Sequence, residues 1–349
     1  MRAQSQVDHR NPGIHVQRMD FRGSDSSVSV SIPGAAELEA CRPQLTRVCY
    51  RMLGSMVDAE DAVQETMLRA WRASKTFAGR SSLSTWLCRI GTRVCLDMRA
   101  RRSRTLPPLL RPAGSIDDDM DFREPDLWVE PAADAWLSPD VDGPQQAPLL
   151  AREAVQLAWV TALQQLPPKQ RACLVLMEVV GLSADETAET LEMTVSAVNS
   201  AAQRARRSLR DTRGRMATED PSVTANHEAV QAFAEAFSRY DLEALSRLLR
   251  DDTTMCMPPL ALWLRGSADI VAWMGGRGAG CRGSRVVETR ANGAPAWAQY
   301  RPAPGRGFTP WAIVMPVARD GVIAELHFFL DTAGLFPRFG LPMSLPAEK

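Results

Sequence analysis

The chain has 349 residues, enough for two or three compact domains rather than one. Its 41 basic and 41 acidic side chains cancel to a formal net charge of zero, and no stretch nears the ~18 uninterrupted apolar residues that a membrane span requires. The N-terminus lacks the basic start, apolar run and small-residue cleavage site of a secretory signal, so a cytoplasmic location is expected.

The seven cysteines are scattered and never form a CxxC pair, and only four histidines are present. That pattern predicts reduced, mostly buried thiols, with no metal site and no cofactor. The zero net charge hides segregation. Residues 89–111 hold seven arginines against Asp97 alone, and residues 204–215 hold six arginines against Asp211 alone. Between them, residues 115–142 carry ten acidic groups and one arginine, Arg123. Two basic blocks separated by an acidic tether point to two places that meet phosphate, or to two solvated helix faces.

In chain order, residues 1–35 are polar, Ser/Gly-rich and aperiodic, which predicts a flexible tail; Met19 is an alternative start. Residues 36–102 have helical periodicity throughout. Within them, Ala59, Val63, Met67 and Ala70/Trp71 recur as a core-facing stripe. Asp61, Gln64, Glu65 and Leu68 form a second stripe, suited either to solvent or to docking on a basic partner helix. Residues 103–151 are rich in proline and acid and are expected to be a linker, long enough to let its flanking domains sit far apart.

Helical periodicity returns over residues 152–213. Pro167 and Pro168 open one helix, Gly181 closes it, and Ser183 with Glu186 makes a capping box for the next. After a break at Met193-Thr194 comes a third helix with Thr194 as N-cap. The pattern reads as helix-turn-helix. Val198, Ala201/Ala202, Ala205 and Leu209 face inward on the third helix. Ser196, Asn199, Ser200, Gln203, Arg206, Arg207 and Arg210 point elsewhere, as on a helix that reads base edges and grips phosphates. Residues 225–340 begin with helices near 227–249. Strand-like runs then alternate with Gly/Pro turns, predicting an α+β domain. Gly275–Gly283 lacks the Lys-Ser/Thr ending of a phosphate loop and is expected to be a flexible loop.

The stretch DAEDAVQETMLRAWR, followed by FAGRSSLSTWLCRIGTRVCLDMRARRSR, resembles region 2 of the extracytoplasmic-function sigma factors of the sigma-70 family. LPPKQRACLVLMEVVGLSADETAETLEMTVSAVNSAAQRARRSLR resembles region 4 of the same family. The fold class implied is multidomain: two all-α helical domains plus a C-terminal α+β cone that resembles the SnoaL/NTF2-like domain.

The resemblance implies that Asp61, Gln64, Glu65, Leu68 and Arg72 bind the β′ subunit of core RNA polymerase. It implies that Arg80, Trp86, Arg89, Arg93, Arg101 and Arg102 meet and melt the −10 promoter element. Arginine contacts and ring stacking would offset the cost of unstacking a base; Trp86, beside Leu87 and Ile90, fits a core position as well. Arg93 stands where the family more often has asparagine, which bears on fine −10 specificity. Thr194, Ser196, Asn199, Ser200, Gln203, Arg206, Arg207 and Arg210 are implied to bind the −35 element, with the β-flap of polymerase as a further partner of region 4.

The linker motif DLWVEPAADAWLSPD resembles one found between regions 2 and 4 in sigma factors with C-terminal extensions. Trp128 and Trp136 are candidate anchors, and its acids are candidate mimics of nucleic acid. Some SnoaL/NTF2-like relatives are cyclases or isomerases, so Met257, Trp263, Tyr300, Trp311 and His327 are candidate pocket residues for a small-molecule ligand, or ordinary core. No catalytic acid matches residue by residue. The expected function is a sigma factor that is not itself an enzyme, its C-terminal domain regulating activity. The alternative is a small-molecule-binding or isomerase/cyclase-like enzyme domain fused to a DNA-binding regulator.

Overall fold

The computed structural model describes residues 33–100, 113–118, 128–137, 156–216, 223–260, 262–305 and 307–347. All belong to one of two units into which the chain divides, Ile32–Lys349; the other is Met1–Ser31. The first helices are α1 (Ala35–Ala40), α2 (Arg42–Leu53), α3 (Met56–Ala73) and α4 (Leu83–Ala100). Gly54, at φ 75°, ends α2, and the Ser55 hydroxyl caps α3 by accepting from Asp58 N. Leu45, Val48, Ala59, Val63, Val94 and Cys95 are buried between the helices. Gly91 lets α4 approach α2 closely, because a Cβ there would lie 2.6 Å from Leu45 Cδ1. Trp71 departs from the expected inward stripe: it is 57% exposed, because Ala70 takes the buried position beside Leu38 and Leu87.

The second helical block follows as α6 (Leu157–Gln165), α7 (Pro168–Leu174), α8 (Ala184–Leu191) and α9 (Val195–Met216), after a short α5 (Asp134–Leu137). A π-helical turn, Val175–Val180, extends α7 up to Gly181. The Ser183–Glu186 capping box forms as the sequence predicts, and Thr194 Oγ1 accepts from Ala197 N.

The two helical blocks do not sit apart. They share one core in which Val48, Met52 and Cys95 join Leu163, Cys173 and Leu176. Two side chains of the second helical block finish the C-terminus of α2, where helix geometry leaves carbonyls without amide partners. Gln164 Nε2 donates to Arg51 O (3.0 Å), and Arg171 Nη1 donates to Met52 O (2.5 Å). Arg171 is fully buried, and its other donors meet Leu163 O, Gln164 O and Leu166 O. Burial pulls its guanidinium down to about 9.

The C-terminal part opens with α10 (Val223–Arg239) and α11 (Leu242–Leu248). A six-stranded sheet follows, ordered β2-β1-β6-β5-β4-β3. Its strands are β1 (Leu249–Cys256), β2 (Trp263–Arg265), β3 (Arg285–Ala291), β4 (Ala294–Ala303), β5 (Gly307–Arg319) and β6 (Val322–Phe329). Only the β1–β6 pairing is parallel among the described strands. One face packs on α10, α11 and α12 (Ser267–Gly275) through Met255, Trp297, Val314, Leu326 and Phe328. The other face turns Ala298, Tyr300, Ile313 and Phe329 into the core shared with the helical blocks. Gly275–Gly283 is not a free loop. It carries a 3-10 turn, Arg277–Cys281, tied down by the Tyr240 hydroxyl at Met274 O and Gly278 O.

The described part of the linker is a strap, not a spacer. Gly114 N donates to Trp263 O, and Ile116 packs against the cone. Farther on, Glu130 N donates to Gly54 O, its carboxylate accepts from Met56 N, and its carbonyl accepts from the Tyr50 hydroxyl. Burial raises the Glu130 carboxyl above its ordinary value. The β3–β4 turn is Asn292-Gly293, both left-handed (φ 53° and 78°), the residue pair that two-residue hairpins favour. Asn292 joins three parts of the molecule. Its Oδ1 accepts from Ala132 N, its backbone N donates to Ala132 O, and its Nδ2 donates to Tyr50 Oη.

Candidate functional site

The sequence-predicted residues fall on three surfaces, which differ in what covers them. On α3, Asp61, Gln64, Leu68 and Arg72 are exposed, and Glu65 is half-buried beside Arg69. Leu68 is 52% exposed, and Trp71, absent from the sequence-derived set, stands near it on the same helix. Leu68 and Trp71, three positions apart on α3, leave two large apolar side chains in water on the helix that carries Asp61 and Glu65. The exposure of Trp71 was missed because helical spacing assigned it to the core stripe along with Ala70. The neighbouring residue Glu60 is engaged, taking Trp136 Nε1 (3.0 Å) and Arg338 Nη2 (2.7 Å). Arg338 comes from α13 (Thr332–Arg338), after the last strand.

On α9 the predicted division holds. Val198, Ala201, Ala202, Ala205 and Leu209 are buried, while Ser196, Asn199, Ser200, Gln203, Arg206, Arg207 and Arg210 are exposed with Thr194 at the helix start. Arg206 pairs with Glu178 (2.5 Å) from the π-helical turn. This face is open.

The α4 residues are in a different state. Arg80 is exposed ahead of the helix, and Trp86 is half-buried, packed on Phe77 at 5.3 Å between ring centroids and on the Leu38–Leu87 cluster. Arg101 and Arg102 lie outside the described residues. Arg89 and Arg93, one helical turn apart, are both bound to α8. Arg89 Nη2 donates to Glu186 Oε1 (2.9 Å), and its Nη1 lies 3.7 Å from Glu189 Oε2. Arg93 Nε donates to Thr190 O (2.8 Å), its Nη2 lies 3.3 Å from Glu192 Oε1, and Glu189 O accepts more weakly at 3.4 Å. The Glu186 carboxyl is held below its ordinary value, first by the Ser183 backbone N–H and then by Arg89. Two acids and two carbonyls of the first helix of the helix-turn-helix, with Glu192 just past its end, thus occupy the donors that sequence assigned to DNA phosphates.

The five candidate pocket residues are not brought together. Met257 and Trp311 border the space between sheet and helices, where only about 10 Å³ is left unfilled. The Arg301 guanidinium covers the Trp311 ring at 3.2 Å from its centroid. Tyr300 faces the other way, edge-on to Phe336 with its hydroxyl donating to Pro342 O, and Trp263 is buried on β2. His327 alone lines a large cavity, about 530 Å³, and this lies on the opposite side of the sheet, against α6 and the strap. Side chains leave little room beside Met257 and Trp311, whereas the cavity at His327 opens between the sheet, the start of α10, α6 and the strap. Among the described residues no cluster of side chains could hold a metal ion, and no helix is long and apolar enough to cross a membrane.

Comparison with known proteins places these surfaces in context. The Sigma-70 region 2 family model matches residues 38–105, and the Sigma-70 region 4 model matches residues 156–209. The chain is 39% identical over 323 residues to the ECF RNA polymerase sigma factor SigG of Mycobacterium tuberculosis, covering 89% of this chain and 84% of that one. To SigJ of the same organism it is 28% identical over 248 residues, 68% of this chain and 71% of SigJ. The crystal structure of SigJ superimposes with a TM-score of 0.57 at 23% identity, covering 89% of this chain and all of that one, a likeness of fold.

Proposed function

The chain belongs to the extracytoplasmic-function sigma factors, which bind core RNA polymerase and direct it to promoters, and on that premise we propose that its C-terminal cone and strap hold it in a closed, promoter-refusing state. The observation that carries this reading is the capture of Arg89 and Arg93 by α8. Arginines that already meet Glu186, Glu192 and the Thr190 carbonyl cannot also meet the −10 strand. The strap and cone support the latch from behind: Asn292, Glu130 and Arg338 all bind α2, α3 or the turn between them.

The polymerase-facing stripe of Asp61, Gln64, Glu65, Leu68 and Arg72, extended by Trp71, is proposed to dock on β′. The exposed face of α9 is proposed to read the −35 element. The chain does its work without turnover of its own, since the polymerase makes the RNA. The test pairs two variants in promoter-directed run-off transcription and β′ pull-down. Asp61→Arg with Glu65→Arg should abolish capture of β′, and Asn292→Ala, which unties the strap, should raise transcription per bound factor. Unchanged capture would remove the docking role, and unchanged or lower transcription by Asn292→Ala at equal capture would remove the closed-state role.

A further inference from the structure

Three strands bring an ordered polar relay to the sheet face that looks at the helices. Register sets Cys256 of β1 and Met315 of β5 on either side of His327 of β6. Cys256 Sγ lies 3.1 Å from His327 Nδ1, His327 Nε2 lies 3.2 Å from Glu325 Oε2, and Glu325 Oε1 meets Arg319 Nη2 at 2.5 Å. The four groups run in line as thiol, imidazole, carboxylate and guanidinium. This is the geometry in which a carboxylate orients an imidazole and the imidazole takes a thiol's proton. All four border the cavity of about 530 Å³, a volume ordinary for a small-molecule site. The rest of its wall is mainly apolar, with Trp128 and Val129 from the strap, Leu157 from α6, and Pro316, Val317 and Phe329 from the sheet.

Electrostatics agree with this geometry. Burial alone would pull the imidazole down, yet the Cys256 sulfur and the Glu325 carboxylate outweigh it and raise His327 to about 10. Burial likewise opposes ionisation of Glu325, but His327 and Arg319 together bring it to about 2.

We propose that this junction cavity is a site for an apolar electrophile of the α,β-unsaturated carbonyl class, which Cys256 captures by conjugate addition. The thiol's proton already rests on His327 Nδ1, so that an imidazolium faces the sulfur. The sulfur electron pair forms a C–S bond at the β-carbon while the C=C π pair moves to the carbonyl oxygen as an enolate. The imidazolium then returns a proton to the α-carbon. The sum is addition of S–H across C=C, with nothing oxidised and nothing released. No second cysteine lines the cavity, so a disulfide has no partner there. Cys281 also has a cation beside it, Arg301 at 3.0 Å, but the space it adjoins is only about 10 Å³. Burial raises the thiols of Cys88, to about 12, and of Cys41 and Cys173, which removes thiolate from them.

Because one wall of the cavity is strap and α6 and the other is sheet with Asn226, His227 and Val230 of α10, the site is complete only while cone and helical blocks are docked. An occupant that touches both walls binds the docked form and shifts the population toward it. This regulatory consequence rests on the closed-state reading; the site itself does not.

The test uses the full-length protein and N-phenylmaleimide as the apolar probe, in a brief sub-stoichiometric pulse followed by peptide mass mapping. Cys256 should carry the label at a rate at least tenfold above any of the other six cysteines. His327→Gln should slow that labelling tenfold or more. Label on Cys41, or spread evenly with Cys256 unmodified in the native protein, overturns the site. Labelling of Cys256 that is equally fast in His327→Gln overturns the relay. The labelled protein should also support several-fold less run-off transcription than the unlabelled one. Unchanged transcription with Cys256 fully modified would refute the coupling and leave the site standing, whereas an Asn292→Ala protein that transcribes no better than wild type at equal β′ capture would instead count against the closed-state premise.

Discussion

Neutralising the acids of the α8 latch should strengthen DNA binding by more than the change in net charge explains. The perturbation is Glu186→Gln with Glu189→Gln and Glu192→Gln. Glutamine at position 186 keeps the capping box with Ser183, so α8 retains its N-terminus while Arg89 loses its partner. The pairs are partly exposed, Arg89 being 22% and Glu186 41% accessible, so each is worth roughly 0.2–1 kcal/mol. Arg93 keeps its bond to Thr190 O, which the variant leaves in place. The three changes together then cost the closed form about 1–2 kcal/mol, or roughly 5- to 30-fold in the open-to-closed ratio.

When the binding-competent state is the minor one, apparent affinity rises in proportion to its population. Fluorescence anisotropy with a mixed-sequence single-stranded oligonucleotide at fixed salt measures this without knowledge of the promoter, because the arginine–phosphate contacts are indifferent to sequence. The control is Glu235→Gln with Glu243→Gln and Glu288→Gln, three exposed acids on the cone that alter net charge equally. A gain of fivefold or more over the control is expected. An equal gain in both triples would mean that only bulk charge had changed and that Arg89 and Arg93 are not held back by α8.

Three further outcomes follow from single contacts. Asn292→Ala leaves the buried Ala132 N–H without its acceptor and places alanine at φ 53°, so thermal unfolding should show a loss of about 2–4 kcal/mol. Leu68→Ser with Trp71→Ser removes two exposed apolar side chains and should leave stability unchanged while weakening β′ capture at least tenfold; unchanged capture would exclude the two from that interface. The third outcome concerns pH. His327 is raised when folded, so its contribution is complete below the unfolded value of about 6.5 and is lost as pH climbs through 10; Glu325 is lowered, so its contribution stands above about 4.3 and is lost as pH falls toward 2. The difference in Tm between wild type and His327→Gln should therefore shrink from pH 7 to pH 10, and a constant difference would contradict the raised value.

Local signals were legible in the chain wherever one residue type answers one local need. Gly181, the Ser183–Glu186 box and Thr194 bound the helix-turn-helix because caps are satisfied within a few residues. The inward and outward faces of α9 follow from period alone. The strap was not legible, because its proline and acid content reads as spacer, while its order comes from partners 80 to 160 positions away in Tyr50 and Asn292. Trp71 illustrates the same limit. Spacing placed it with Ala70, and only the packing of Leu38 and Leu87 decides which of the two neighbours is covered. His327 was singled out as an inward aromatic of the cone. Its relay was missed because Cys256 lies 71 positions away and meets it only through the parallel β1–β6 register.

The unequal covering of the three surfaces argues for an order of events. The α3 stripe and the α9 face stand open in the same molecule in which Arg89 and Arg93 are latched. On the docking role proposed for the α3 stripe, a factor built this way reaches polymerase while still closed, since nothing on that stripe has to be released first. The latch consists of pairs that are individually weak, so differential binding of a few kcal/mol by polymerase and promoter to the open form suffices to break it. The strap contacts are of another kind: Tyr50, Asn292 and the Ala132 amide are fully buried, and separating them strands polar groups from water. Opening therefore begins along the surface where α4 meets α8, and it is complete only once the strap contacts to α2 and α3 have also been given up. The junction cavity, bounded by α6 on one side and the sheet on the other, lies where movement of the second helical block would be felt.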